Sequence, residues 1–348
     1  MTLQYPSGDA PVTGKAVELA PGVLWLRMPM PFALDHINLW AIRDGDAWAI
    51  ADSGLHTVET TAAWLQLLGP DGPLAGASIS RVLATHMHPD HVGMSGWLTR
   101  RFECEFHISR LEYLNCRMLV ADTGREAPVD GTRFYRRAGW TEPQVEAYRA
   151  RFGSYGRMIH PLPDSFTRLE EGTVVRIGTH EWHVVIGRGH SPEHACLYCP
   201  ALRLLISGDQ ILPRITSNVS VHATEPAAEP LSDWLESLVH IRERVPDDVL
   251  VLPAHNEPFR GLHERLDQLE NSVTQALGRL RAKLGEPRRV VDVFDALFRR
   301  PVGEDPQLLG MATGEALAHI NFLLKRGEVV QRMENGVAWY RMSSEGSV

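Results

Sequence analysis

Thr85-His86-Met87-His88-Pro89-Asp90-His91 packs three histidines and one aspartate into the six positions from His86 to His91. The residues before it, Arg81 to Ala84, read as the end of a buried apolar strand. Imidazole nitrogens and a carboxylate delivered together at a strand end make a metal site that awaits its remaining ligands. His86 and His88 have the spacing to meet one ion, while Asp90 and His91 project differently from the same loop.

Outward from this stretch, polar groups of the same kinds recur just past apolar runs. Glu181 to Ile186 runs into Gly189-His190-Ser191, Leu202 to Ser207 ends in Gly208-Asp209, and Asp248 to Leu252 leads into Pro253-Ala254-His255. Loops of this sort gather on one edge of a sheet-built domain. A catalytic zinc ion takes about three protein ligands plus water, so a second ion is expected. Two divalent ions about 3.5 to 4 Å apart need an anionic bridge, which a carboxylate such as Asp209 provides, with a bridging hydroxide as nucleophile.

The elements around these loops follow from periodicity. Residues 1–20 carry little pattern and read as an extended entry. From Gly22 the chain alternates, and Ile37 to Ile42 and Ala47 to Ala51 flank Arg43-Asp44-Gly45-Asp46, a hairpin signal. Thr57 caps a helix to Leu68, and Val92 to Arg101 reads as a helix following the metal stretch. Ser109 to Glu112 looks like a capping box. Strand signals vanish between about Arg117 and Pro163, where a helix opens at Thr141, so a largely helical insertion is expected. Strands return at Thr173 to Ile177, Glu181 to Ile186, Ala195 to Tyr198 and Leu202 to Ser207, and Ser232 to Val245 is an amphipathic helix. The order predicts an α/β sandwich of sheets covered by helices. Past residue 260, a linker helix spans Leu262 to Leu284, two short helices cover Val290 to Phe298 and Gly314 to Lys325, and a hairpin turns at Glu334-Asn335-Gly336. Helices followed by a β-wing predict a winged-helix-like domain over 285–348.

Composition narrows the function. The chain has 348 residues, 44% of them hydrophobic and 22% charged, a net charge of −8, and no apolar run of membrane-spanning length. That charge argues against a generic phosphate-backbone binder. The start carries no secretory pattern, and a cytoplasmic location is expected. Four cysteines suit a reducing compartment. Cys196-Leu197-Tyr198-Cys199 sits in an apolar strand whose positions three apart face opposite sides, so packing outweighs a redox or zinc role.

The stretch from His86 to His91, with His190, Asp209 and His255, resembles the successive metal motifs of the metallo-β-lactamase-fold hydrolases. The resemblance is to the branch with glyoxalase II and the β-lactamase-like proteins carrying a C-terminal winged helix, and it spans roughly residues 20–260. It implies a four-layer αββα sandwich over 1–260, with the helical insertion at about 117–163, a linker helix at 261–284 and the small domain at 285–348. It also implies that His86, His88 and His190 hold one metal, Asp90, His91 and His255 the second, with Asp209 bridging. An Asp at the bridging position, where several lactamases place Cys, counts against antibiotic hydrolysis.

The expected activity is therefore dinuclear hydrolysis of a small-molecule ester-type bond, a thioester, lactone or carboxylic ester. Two zinc ions are expected, with iron or manganese as alternatives, and Asp90 orients or shuttles a proton. Three other readings compete: a phosphodiesterase or ribonuclease on the same metals, an iron-dependent persulfide or oxygen enzyme, and a metal-sensing DNA-binding protein. Retention of all seven ligands disfavours a single-iron design. Phe32, His36, His194, His222 and Tyr155 are the candidate substrate contacts, with support of a metal ligand the alternative role for His194 and His222, whereas His107, His180, His183, His240, His263 and His319 read as structural or surface residues. From Gly285 on, eight basic residues face nine acidic ones. No DNA binding is expected of so balanced a domain. Its apolar stripe Leu317, Ile320 and Leu324 is expected to seek a partner surface, such as a second copy of the chain.

Overall fold

The computed structural model of the chain describes residues 2–32, 34–303 and 305–344. These fall into two compact units, the first comprising Met1–Thr123, Ser154–Ser217 and Val239–Leu266.

Seven strands form the first sheet of this unit in the order β1 to β7: Ala16–Ala20, Val23–Pro29, His36–Asp44, Ala47–Ala51, Ser78–Leu83, Glu105–Ile108 and Thr167–Arg168. β1 to β4 are an antiparallel meander, and β4 to β7 pair in parallel. The expected hairpin is present, with Asp44 paired to Ala47 across Gly45-Asp46. The extended entry expected over residues 1–20 ends in a paired strand: in β1 Val17 opposes Trp25, so neighbour pairing supplies the order that local periodicity lacks. The second sheet runs β12-β11-β10-β9-β8, with β8 Val174–Ile177, β9 His180–Gly187, β10 His194–Cys199, β11 Leu204–Gly208 and β12 Leu250–Pro253.

Strand alternation divides the core. Trp25, Trp40, Ile42 and Leu83 of the first sheet pack against Trp182, Val184, Leu197, Ile206 and Leu252 of the second. The opposite side chains of the first sheet, Met28, Leu39, Ile50 and Val82, pack under three helices. These are α1 (Val58–Leu68), through Ala63, Trp64 and Leu67; α3 (Ser95–Phe102), through Leu98; and α4 (Arg110–Ala121), through Tyr113 and Cys116. A one-turn helix, α2 (Pro89–Val92), precedes α3. On the outer face of the second sheet Val185, Cys196, Leu205 and Val251 are buried, as are the helical residues Ile241, Leu262 and Leu266 and, just past α7, Val245. The result is the four-layer αββα sandwich. Each large apolar side chain buried this way contributes roughly 1.5–3 kcal/mol.

Two local readings need correction. Val92 to Arg101 is not one helix, because Met94 N–H turns away to Gly54 O and Ser53 Oγ. A Cβ on Gly93 would stand 2.5 Å from the Gly54 carbonyl, which makes glycine necessary at the break. At Ser109 no side-chain cap forms. Glu112, its expected capping partner, points inward instead. Cys196 and Cys199 are both buried free thiols, as the strand reading implies.

The second unit comprises Gly124–Gly153, Asn218–Leu238 and Asp267–Val348. It contains α5 (Val129–Ala138), α6 (Glu142–Arg151), part of α7 (Pro230–Arg244), most of α8 (Leu262–Lys283), the single turn α9 (Phe294–Leu297), α10 (Pro306–Lys325) and the hairpin β13 (Val329–Glu334) and β14 (Val337–Met342). α10 begins eight residues earlier than Gly314, with Asp305 accepting from Gln307 and Leu308 N–H. Gly310 and Gly314 mask this first stretch, since glycine is a poor helix former. The segment expected as a helix over Val290 to Phe298 is a 3-10 turn followed by α9. The stripe on α10 is not an open face either. Ile320 is wholly buried, and Leu317 and Leu324 line a cavity of about 350 Å³ within this unit. No helix among the described residues is long and apolar enough to cross a membrane.

Candidate metal centre

The C-terminal ends of β5, β9, β11 and β12 carry the seven sequence-predicted ligands into two clusters. His86, His88, His190 and Asp209 present ligand atoms within 4.8 Å of one another, as do Asp90, His91 and His255. In the first, His86 Nε2 lies 2.8 Å from His88 Nδ1 and 3.3 Å from His190 Nε2, and Asp209 Oδ2 is 3.4 Å from His190 Nε2. In the second, Asp90 Oδ2 lies 3.7 Å from His91 Nε2 and 3.4 Å from His255 Nε2. Tetrahedral ligands about 2.0–2.1 Å from one ion stand roughly 3.4 Å apart, so most of these gaps are those of co-ligands. Asp209 reaches across both clusters, with Oδ2 also 3.5 Å from His91 Nε2 and Oδ1 3.4 Å from His255 Nε2.

The surroundings fix which ring nitrogen faces inward. His91 Nδ1 is 2.8 Å from the Asp52 carboxylate, an acceptor, so Nδ1–H donates there and Nε2 is the nitrogen aimed into the cluster. His255 Nδ1 likewise donates to the His36 carbonyl at 2.9 Å. His91 Nε2 and Asp209 Oδ1 are then buried atoms with no hydrogen-bond partner. Two unpartnered buried atoms of this kind, within a group of seven converging His and Asp side chains, fit a cation.

Ionisation agrees. Burial and the neighbouring imidazoles hold His86 well below its ordinary pKa, and burial with His190 lowers His88 to about 3, so both are neutral as ligation requires. For His91, burial is outweighed by the carboxylates of Asp52, Asp90 and Asp209, which keep it well above its ordinary value, so a cation at Nε2 would take the place of a proton there. Asp209 is held well below the usual carboxylate range, because His255 and His91 overcome its burial. The anionic side of this centre thus already demands positive charge.

The backbone beneath the ligands is tied down by residues to which the sequence reading gives no such role. Asp52, at φ +60°, accepts Thr85 N–H and Thr85 Oγ1–H besides His91. Buried Asn38 donates to the carbonyls of Pro253 and Asn256 on either side of His255, and accepts the Trp25 indole N–H. Glu112 accepts the Met87 and Glu193 N–H groups. Arg265 donates to the Leu212 and Ile215 carbonyls in the loop after Asp209. Only Asn38 leaves a sequence signal, as a polar residue inside the apolar strand from Ile37 to Ile42.

The candidate substrate contacts separate. His194 is wholly buried, with Nε2 accepting the Asp209 N–H, so of its two expected roles it takes support of Asp209 and not contact with substrate. His36 faces the His255 loop, its Nε2 accepting the Asn256 N–H. Tyr155 donates to the Met87 carbonyl and lies 3.2 Å from Cys116 Sγ. Phe32 is exposed in the first unit, while His222 is exposed and belongs to the second. His107, His180, His183, His240, His263 and His319 lie outside both clusters.

The family model for the metallo-β-lactamase superfamily matches residues 33–283, and the model for the metallo-β-lactamase-like C-terminal domain matches residues 277–343. The chain belongs to the metallo-β-lactamase superfamily. It is accordingly a metal-dependent hydrolase. A crystal structure of a β-lactamase domain protein from Burkholderia ambifaria is 38% identical, with a TM-score of 0.89 and 98% of each chain covered. A probable metallo-hydrolase of Bacillus subtilis, YqjP, is 22% identical over 92% of this superfamily member and 97% of its own length. An acyl-coenzyme A thioesterase of Gallus gallus, MBLAC2, is 26% identical over 75% of the chain and 86% of its own.

Proposed function

We propose that this chain hydrolyses a small-molecule carbonyl ester-type bond, with a thioester the leading substrate class and a lactone or carboxylic ester next, using two divalent ions, preferably zinc. The observation that carries the reading is the Asp209 carboxylate, whose two oxygens reach the ligand atoms of both clusters. His86, His88 and His190 would hold one ion, Asp90, His91 and His255 the other, and Asp209 both. When bound, the ions supply Lewis acidity and lower the pKa of water enough for hydrolysis near neutral pH. Asp90 presents Oδ2 to its cluster, leaving a second oxygen to receive the proton of the attacking water. The His36 carbonyl aims His255 Nε2 inward and Asn38 holds the backbone on either side of it, while Asp52 aims His91 Nε2.

The thioester preference draws support from the avian thioesterase relative. The net charge of −8 and the balanced C-terminal segment weigh against nucleic-acid substrates. The order of helices and terminal hairpin supports the winged-helix reading of 285–348. The test is a panel of an acyl thioester, a lactone, bis-p-nitrophenyl phosphate and single-stranded RNA. Turnover of the thioester or lactone alone supports the proposal, and turnover confined to the phosphodiesters refutes it.

A further inference from the structure

The peptide of Met87, between His86 and His88, is gripped on both sides. Its N–H donates to Glu112 Oε2 over 3.0 Å, and its carbonyl accepts the Tyr155 phenol proton. The other oxygen of Glu112 accepts the N–H of Glu193, three residues past His190, over 2.7 Å. Glu193 closes the loop by accepting the Leu111 N–H at 2.9 Å. One carboxylate therefore ties the backbone carrying His86 and His88 to the backbone leading from His190.

Glu112 is fully buried against two amide N–H donors, with the Ser191 hydroxyl and His190 beside it and no Lys or Arg ion pair among the described residues. Burying a charge without a counter-ion costs several kcal/mol, whereas an apolar side chain could fill the same space without that cost. Packing alone does not account for an acid at this position. The second cluster is anchored elsewhere, His91 by Asp52 and His255 by His36, with Asn38 beneath.

We propose that Glu112 and Tyr155 are positioning residues for the His86/His88/His190 ion site and not for the Asp90/His91/His255 site. The inference rests on the ligand assignment proposed above. Glu112→Gln sets an amide NH₂ against one of the two N–H donors and breaks the tie, and Tyr155→Phe removes only the hydroxyl.

The experiment titrates metal-free wild type and both variants with Co²⁺, followed by visible absorption and chelator competition. His190→Ala and His255→Ala serve as references for the spectrum of each site. Wild type is expected to bind two Co²⁺. Glu112→Gln should weaken the site lost in His190→Ala about 10- to 100-fold and leave the other within about twofold. Tyr155→Phe should weaken the same site, and it decides the question if Glu112→Gln does not fold. Unchanged binding in both variants, or equal loss at both sites, overturns the positioning role while leaving the two-ion reading intact. A wild type that binds no Co²⁺ overturns that reading, and this inference with it.

Discussion

His91 Nδ1–H donates to the Asp52 carboxylate over 2.8 Å, with both side chains buried. The pair orients Nε2 toward Asp90 and Asp209 and raises the basicity of the ring. Asp52→Asn keeps the volume and tolerates the left-handed backbone at φ +60°, so the fold should persist. Affinity for the ion at the Asp90/His91/His255 site is expected to fall about 10- to 100-fold, as measured by chelator competition. Wild-type affinity in that variant would refute the role assigned to Asp52.

Asn38→Ala should cost about 2–4 kcal/mol in urea unfolding, because it strands the Trp25 indole N–H and the Pro253 and Asn256 carbonyls away from their partner. A loss below about 0.5 kcal/mol would mean that these groups find other partners.

Gly208 precedes Asp209 at φ +50°, and a Cβ there would stand 2.5 Å from His194 Nε2 and 3.0 Å from Thr85 Oγ1. Gly208→Ala should therefore displace His194 or Asp209. The expected outcome is a stability loss of about 2–4 kcal/mol and fewer than two bound ions by elemental analysis. Full metal content with wild-type stability would contradict this.

Glu315, on α10, is pushed up to about 7 by burial, with Asn218 Nδ2 donating to it at 2.8 Å. Its folded pKa lies above its unfolded one, so the folded state binds this proton more tightly. The associated stability is complete below about pH 4.5 and is lost as pH rises toward 7. Glu315→Gln keeps an acceptor for Asn218 and should gain up to about 3 kcal/mol over wild type at pH 8, with little difference at pH 4.5. Equal stabilities at pH 8 would show that Glu315 ionises without penalty.

The order of sheets and helices was legible because alternation at Trp25, Trp40 and Trp182 reports two buried faces, and because each predicted ligand follows an apolar run. The gathering of those ligands was legible in the chemistry of His86 to His91. What stayed hidden depends on contacts distant in sequence. Glu112 has the spacing of a helix cap, and only the fold reveals that its acceptors are taken by Met87 and Glu193. β1 lacks a strong pattern because its order comes from pairing with β2. His194 and His222 looked alike as loop histidines, yet one is sealed beneath Asp209 and the other lies in a different unit.

The most direct test is a zinc titration of chelator-stripped protein, with bound metal and thioester or lactone turnover read on the same samples. The account predicts two zinc ions bound per chain, activity returning as they bind, and neither outcome in an Asp209→Ala variant. Full turnover in protein holding well under one equivalent of metal would contradict it.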